Sequence, residues 1–172
     1  MIRQTGTVMR MVFGELDGRK SPRAEAFAAM CQKAGIEGVL SPEILTDLWM
    51  KFILLASNAS IMALTRLPVG KLRDDPDIAP WFTTAYAEVT AVGRAAGVAL
   101  PSDAVDKTLN FNRNAPAQLM ASMAVDLLRG NRIELPWLSG KVVELGKKHG
   151  VPTPTHALMY ATVKPYIMGN PV

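Results

Sequence analysis

The chain of 172 residues has little cysteine, little histidine and few aromatic residues. Its one cysteine, Cys31, cannot form an internal disulfide, so a reducing, cytoplasmic setting is expected. The two histidines, His149 and His156, are separated by a glycine and two prolines, which argues against a shared helix face. We therefore expect no metal site and expect exposed or capping histidines.

Several sequence signatures are also absent. There is no glycine-rich dinucleotide turn, no phosphate-binding loop, no zinc-protease HExxH and no CxxC pair. The longest apolar stretch, Phe52 to Leu64, is shorter than the about 20 residues of a bilayer span and includes serines and an asparagine. The first ten residues lack the apolar core of a signal peptide. We expect neither a membrane segment nor secretion.

The charge is modest and scattered. The net charge is +4, and the densest basic pairs are Arg19-Lys20 and Lys147-Lys148. No basic stripe with interleaved aromatic residues is present, so we expect no nucleic-acid partner. A solvated, mildly basic surface explains this charge, and recognition of a phosphorylated cofactor is also compatible with it.

Helix signals recur along the chain. Ser21-Pro22 and Ser41-Pro42 are typical helix starts, and Gly35, Gly97, Gly130 and Gly150 are plausible helix ends. The patterns predict six or seven helices and an extended segment over residues 6–16. The predicted helices cover about 22–34, 42–65, 80–96, 103–112, 116–129, 136–149 and 154–166, with a short helical turn at 69–74. We predict a mainly α, multi-helix bundle with a short β segment at the N-terminus.

Lys51 interrupts an otherwise apolar helix pattern and is the first candidate for chemistry. Burial disfavours a charged ammonium, and a lysine in such a setting can donate a proton at neutral pH. Leu55 and Asn58 follow it by four and seven residues and share its helix face. In the alternative interpretation, the side chain of Lys51 simply reaches water from the first turns of the helix.

Two acidic residues and a serine are further candidates. Ser122 and Asp126 are four residues apart on one predicted helix face. Asp126 lies among apolar residues, where it either pairs with an arginine such as Arg129 or Arg132 or caps a neighbouring element. Glu134 lies between two apolar residues, where a carboxylate either pairs with a cation or belongs to a site. The core position of Cys31 on its helix favours packing over nucleophilic chemistry.

Four stretches resemble the C-terminal domain of ketopantoate reductases (2-dehydropantoate 2-reductases). They are GELDGRKSPRAEAF, DLWMKFILLASNASIMALTRLPVGKLR, EVTAVGRAAGVALP and ASMAVDLLRGNRIELPWLSGKVVELGKKHGVPTPTH. Together they cover about 14–160 in the family's order. The W-x-K pattern, the ALT-x-x-x-x-G pattern and the downstream SM-x-x-D are specific as a set. The resemblance implies a helical fold like that of 6-phosphogluconate dehydrogenase C-terminal domains.

The resemblance also implies roles for four residues. Lys51 matches the catalytic lysine that protonates the keto oxygen while NADPH delivers hydride, and Glu134 matches the carboxylate that contacts the substrate's hydroxyl. Ser122 matches a serine that holds the substrate. Asn58 lies on the lysine's face and could partly replace the asparagines that ketopantoate reductases carry four and eight residues after the lysine. Leu55 and Ala59 occupy those two positions here.

The resemblance further implies a domain that this chain does not contain. Family members begin with a Rossmann domain with a glycine-rich phosphate turn, so we expect residues 1–20 to lead from that domain and residues 21–172 to form the helical substrate domain. The implied protein is a cytoplasmic, homodimeric oxidoreductase of pantothenate biosynthesis that acts on a small 2-keto acid. Two alternatives stay open: a paralogue acting on another 2-keto acid, and a non-catalytic dimerisation or ligand-binding module.

Overall fold

The computed structural model describes residues 9–171, which contain eight α-helices and two short strands. The strands are β1 (Arg10–Phe13) and β2 (Glu37–Leu40). The helices are α1 (Pro22–Lys33), α2 (Ile44–Thr65), α3 (Val69–Arg73), α4 (Ala79–Ala95), α5 (Ala104–Asn114), α6 (Ser122–Leu128), α7 (Ser139–His149) and α8 (Pro154–Val163). Short 3₁₀ turns precede α7 and follow α8, at Leu135–Trp137 and Lys164–Tyr166. The predicted mainly α class with a β segment near the N-terminus is confirmed.

The chain divides into two compact units, Met1–Leu48 and Trp49–Val172. This division is of a different kind from the predicted one, which assigned 1–20 and 21–172 to different domains of a longer protein. That assignment stays a prediction. Residues 6–8 of the predicted extended segment lie outside the described residues.

The first unit is a β-α-β arrangement. β1 and β2 pair in parallel, with Arg10 opposite Glu37 and Phe13 opposite Leu40. Between the strands, Ser21 caps α1 by accepting a hydrogen bond from the amide of Ala24 at 3.2 Å. A Cβ at Gly38 would lie 2.8 Å from Cβ of Cys31. The glycine therefore lets α1 approach β2, and Cys31 is buried there, as predicted.

The second unit contains the main core. The middle of α2, from residue 56 to 63, is buried on every face, which explains its continuous run of small and apolar residues. α4 packs against α5, α7 and α8 and contributes Phe82, Tyr86 and Val89 to the same core. A Cβ at Gly93 would meet Leu100 at 2.7 Å and the Trp49 ring at 2.8 Å, so this glycine allows close packing between α4 and α2.

One predicted helix is too long. We predicted a helix over 116–129, but α6 begins at Ser122. The carbonyls of Ala117 and Leu119 instead accept hydrogen bonds from the first amides of α3, at Gly70 and Val69, each at 3.0 Å. A helix would have used those carbonyls for its own amides. The apolar spacing of 119–128 was therefore only partly a helix signal.

α2 is the one helix in residues 9–171 that is long and apolar enough to cross a bilayer, judged by length and composition only. Half of the relevant stretch is buried inside the protein, as in the core helix predicted from the sequence.

Candidate active site

Lys51 lies near the start of α2, with its side chain exposed. Within the described part of the chain it makes no ion pair and no side-chain hydrogen bond. Of the two interpretations of Lys51, this exposure agrees with the one in which the side chain reaches water from the first turns of the helix. Leu55, one helical turn further, is 41% exposed. The lysine therefore stands on an open face with an apolar neighbour.

Asn58 shares the helix face of Lys51 but is buried in a network of its own. The hydroxyl of Tyr86 on α4 donates a hydrogen bond to Oδ1 of Asn58 at 2.5 Å. Nδ2 of Asn112 on α5 donates to the Tyr86 hydroxyl at 2.7 Å and lies 3.4 Å from Oδ1 of Asn58. Burial raises the pKa of Tyr86, so its hydroxyl stays a donor. The network fixes the orientation of the Asn58 amide.

The far end of this network is held by an arginine. Nη1 of Arg73 donates to the backbone carbonyls of Asn112 and Ala115, at 2.8 and 2.7 Å. Oδ1 of Asn112 is buried and has no partner among the described residues. Sequence analysis did not identify Tyr86 or Asn112, because their partners lie on other helices far along the chain.

Ser122 is the first residue of α6 and is exposed. The preceding amide, of Ala121, donates to Sδ of Met62 at 3.2 Å, which places the start of α6 beside the C-terminal half of α2. Asp126 on the same helix accepts a hydrogen bond from Nδ2 of Asn131 at 2.9 Å. Of the two structural roles expected for Asp126, pairing with an arginine is not observed in residues 9–171, and its carboxylate bonds the side chain of Asn131 just beyond the helix end.

Glu134 is exposed between two buried residues, Ile133 and Leu135. The amide of Ile133 donates to the carbonyl of Ile167 at 3.0 Å, and the carbonyl of Glu134 accepts from the amide of Trp137 at 2.9 Å. Since both flanking side chains are anchored in the core, the carboxylate of Glu134 is directed to the surface. No ion pair to Glu134 is present in residues 9–171, and its place in a substrate site stays a prediction.

The four candidates are thus not joined to one another. Lys51, Ser122 and Glu134 are exposed, whereas Asn58 is 8% exposed and bonded to α4 and α5. Across the described part of the chain, no hydrogen bond or ion pair links any two of them. They comprise one cation, one carboxylate, one hydroxyl and one amide, and their joint role in a site stays a prediction.

A second buried polar cluster surrounds His156, which we expected to be exposed or to cap a helix. Oγ of Ser139 lies 2.9 Å from its Nδ1, while its Nε2 lies 3.4 Å from Oγ of Ser57 and 3.3 Å from the carbonyl of Ala85. Burial lowers the pKa of His156 to about 4, against the opposing charge of Glu88. The side chain is fully buried, so this serine–histidine contact joins helices and is closed to substrate.

Glu88 on α4 completes this cluster. Its carboxylate accepts hydrogen bonds from the amides of Thr155 and His156, at 2.8 and 3.0 Å. These amides belong to the first turn of α8, where a negative charge is favourable. The carboxylate therefore acts as a cap supplied by another helix.

The β-α-β unit is the place to test for a dinucleotide cofactor, since the phosphates of such cofactors bind at a helix start after a strand. Here the carboxylate of Glu15 already lies beside the start of α1. Oε1 of Glu15 accepts hydrogen bonds from Ser21 at 2.5 Å and from Nε of Arg23 at 2.6 Å. These hydrogen bonds, that from Arg23 most strongly, lower the pKa of Glu15 to about 2. A carboxylate at this point repels a phosphate, so the residues present do not fit the phosphates of NADPH.

In the described part of the chain, no three His, Cys, Asp or Glu side chains lie close enough together to hold a metal ion.

Comparison with known proteins identifies the family to which this chain belongs. The family described as Ketopantoate reductase PanE/ApbA C terminal matches residues 43–166. A 2-dehydropantoate 2-reductase of Caulobacter vibrioides is 32% identical over 140 residues, which is 81% of this chain and 48% of the relative. The chain thus spans about half the length of the curated relatives it matches.

Solved structures agree. A PanE/ApbA family ketopantoate reductase from Ralstonia eutropha superposes with a TM-score of 0.83 and 28% identity, over 94% of this chain and 52% of that one. A D-mandelate dehydrogenase, solved with NADH and anilino(oxo)acetate, shares the fold with a TM-score of 0.84 and 17% identity, over 95% of this chain and 68% of that one. The chain belongs to the ketopantoate reductase family, whose C-terminal domain it represents.

Proposed function

We propose that the complete protein containing this chain is an NADPH-dependent reductase of 2-keto acids, and that this chain provides its substrate side. The observation that carries the proposal is Lys51, an exposed ammonium without a partner in the described residues, on the helix that the family match includes. An enzyme that reduces a ketone needs a proton donor at the carbonyl oxygen.

The reaction adds a hydride to the keto carbon and a proton to the keto oxygen, which yields a 2-hydroxy acid. NADPH, held by the half of the protein outside this chain, is the proposed hydride source. Negative charge develops on the oxygen as the carbonyl is reduced. The ammonium of Lys51 stabilises this charge and then donates its proton to the oxygen.

The other candidates would orient the substrate. Glu134 presents a carboxylate that can accept a hydrogen bond from a substrate hydroxyl, and Ser122 presents a hydroxyl beside α2. Asn58 has its carbonyl oxygen engaged by Tyr86, which leaves its NH₂ group as the donor available to a ligand.

Ketopantoate, reduced to pantoate for pantothenate biosynthesis, is the first substrate to consider because of the family. Leu55 and Ala59 favour a second candidate, a different 2-keto acid. They provide no amide on the face of Lys51, and loss of a polar contact changes which analogues a site accepts. The D-mandelate dehydrogenase of the same fold was solved with anilino(oxo)acetate, which makes aryl-substituted keto acids a sensible part of any substrate panel.

The cellular setting and assembly are proposals as well. One cysteine, buried and unpaired, suits a reducing cytoplasm. Exposed apolar side chains, among them Leu128 and Trp137, at 53% and 56% exposure, support a homodimer. Light scattering of the complete protein across a range of concentrations tests this: a mass of one chain throughout would contradict it.

Replacing Lys51 with methionine tests the proposed reaction. In the complete protein we expect K51M to lower kcat by about 10²–10⁴-fold, the usual contribution of a positioned proton donor, without loss of folding because the side chain is exposed. K148M is the matched control, since Lys148 is an exposed lysine on α7. Turnover by K51M equal to that of the control would show that Lys51 is not the proton donor and would favour a non-catalytic module.

A further inference from the structure

A guanidinium and a carboxylate lie two residues apart after α6 without pairing with each other. Arg132 and Glu134 are both exposed, and Ile133 between them is anchored in the core. In residues 9–171 neither charged side chain takes part in an ion pair or a hydrogen bond. Opposite charges attract each other, so another contact must hold the guanidinium of Arg132.

The indole ring of Trp137 makes that contact. Cζ of Arg132 lies over the ring, 5.6 Å from its centroid, which is within the range of a cation–π interaction. The amide of Trp137 donates to the carbonyl of Glu134 at 2.9 Å, so the turn that carries the indole is fixed. An aromatic face offers the guanidinium no oxygen acceptor. Arg132 therefore keeps the N–H groups that can bind a carboxylate through two parallel hydrogen bonds.

The backbone on both sides of Arg132 is fixed as well. The amide of Asn131 donates to the carbonyl of Asp126 at 2.9 Å, which ties the segment to the end of α6. The amide of Ile133 donates to the carbonyl of Ile167 at 3.0 Å. A binding group that is held in place before the ligand arrives loses less entropy on binding. The segment thus presents a preorganised cation beside an unpaired carboxylate.

Every 2-keto acid carries one charged group that the residues discussed so far do not bind. The proposed reaction uses Lys51 at the keto oxygen and Glu134 at a substrate hydroxyl, whereas the carboxylate of the substrate needs a cation of its own, because an unpaired charge is costly to take out of water. Arg132 and Lys51 belong to the same compact unit, Trp49–Val172.

We propose that Arg132 binds the carboxylate of the substrate, and that Trp137 holds its guanidinium away from Glu134 so that this cation stays available. This inference rests on the proposed function and deepens it, since it identifies the residue that selects acids over neutral carbonyl compounds. A planar guanidinium matches the geometry of a carboxylate, and its charge distinguishes a carboxylate from an amide of nearly the same shape.

Equilibrium binding to the complete protein tests this selection. In calorimetric titrations with NADP⁺ present, which cannot deliver hydride, phenylglyoxylate and 2-ketoisovalerate are each compared with their primary amides. We expect the unsubstituted protein to bind the acids about 10–100-fold more tightly than the amides, as a charge-assisted contact provides, and R132M to bind acid and amide equally. R129M is the matched control, because Arg129 is an exposed arginine at the end of α6.

An acid preference that is unchanged in R132M, or lost equally in R129M, would overturn the proposal. Failure of the unsubstituted protein to bind either acid would also overturn it. R132K retains the charge but not the paired N–H groups, so it should recover part of the preference. A merely structural role of Arg132 would weaken acids and amides alike.

The outcome for K51M keeps this inference separate from the proposed reaction. Loss of turnover in K51M together with an unchanged acid preference in R132M would contradict the role of Arg132 alone. Full turnover by K51M together with a lost acid preference in R132M would support the role of Arg132 and remove Lys51 as the proton donor. Light scattering of R132M adds a last check: a changed mass with an unchanged acid preference would assign Arg132 to a subunit contact and overturn the proposal.

Discussion

His156 shows how a residue can be misread from sequence. The glycine and prolines that separate it from His149 argued against a shared metal site, and an exposed or capping position was expected instead. The structure buries it completely, with Ser139, Ser57 and the carbonyl of Ala85 around its ring. Two of these partners come from helices distant in sequence, so local pattern could not predict the contact. A signal was present nonetheless, since serines within the apolar run of α2 need buried partners.

The burial of His156 predicts a pH dependence of stability. Its pKa is lowered from 6.5 to about 4 by folding, mainly through desolvation. The unfolded chain therefore binds the proton first, so the stability contributed by neutral His156 is complete above about pH 6.5 and is lost as pH falls towards 4. We expect this loss to amount to about 3 kcal/mol in the free energy of unfolding.

Urea titrations between about pH 7 and about pH 4 measure that loss. In H156Q the pH dependence should be smaller by the stated amount, whatever the variant's stability at neutral pH. H149Q is the control, because His149 is only partly buried at the end of α7. An unchanged pH dependence in H156Q would exclude His156 as its origin.

Lys51 and Asn58 mark the limit of prediction at the candidate site. The helix that carries them, and their shared face, could be predicted from spacing alone. Their environments could not, because exposure of Lys51 and burial of Asn58 depend on where α4 and α5 pack. Helical periodicity describes one element, whereas the packing partners of each face are set by the tertiary fold.

Among the elements, the α2–α4 pair depends on one small residue. Gly93 leaves room for the ring of Trp49 and a methyl group of Leu100. Helix ends marked by glycine, such as Gly150 with its positive φ of 70°, were predictable from sequence, because the reason for the residue is local. The reason for Gly93 lies on other elements, so the sequence pattern did not identify it.

Substituting Gly93 by alanine should destabilise the protein. The added Cβ would lie within 2.8 Å of two side chains, and overpacking of this kind costs about 1–3 kcal/mol. A gain in helix propensity of about 0.5–1 kcal/mol offsets part of this cost. A87G, at an exposed position of α4, calibrates the propensity contribution. Thermal or urea unfolding measures both, and a more stable G93A would contradict the close packing.

At the scale of the whole molecule, the described residues hold the polar groups proposed for the substrate, whereas the start of α1, with the carboxylate of Glu15, does not fit cofactor phosphates. We therefore expect the 172-residue chain, mixed with NADPH and ketopantoate, to show no loss of nicotinamide absorbance. The complete protein should show turnover, and a panel of 2-keto acids, including aryl-substituted ones, should identify the preferred substrate. Turnover by the chain alone would contradict the conclusion that the cofactor site lies outside it.

The carboxylate of Glu88 also constrains the order in which the fold is completed. It caps α8 from a position 67 residues upstream of Thr155. During synthesis α4 therefore leaves the ribosome long before the amides it will bind. Until α8 arrives, Glu88 depends on water for its hydrogen bonds, so its surroundings cannot close into a dry core. The cap on α8 therefore forms only after α8 itself has been synthesised, and a nascent chain that stops short of α8 leaves Glu88 without these two amide donors.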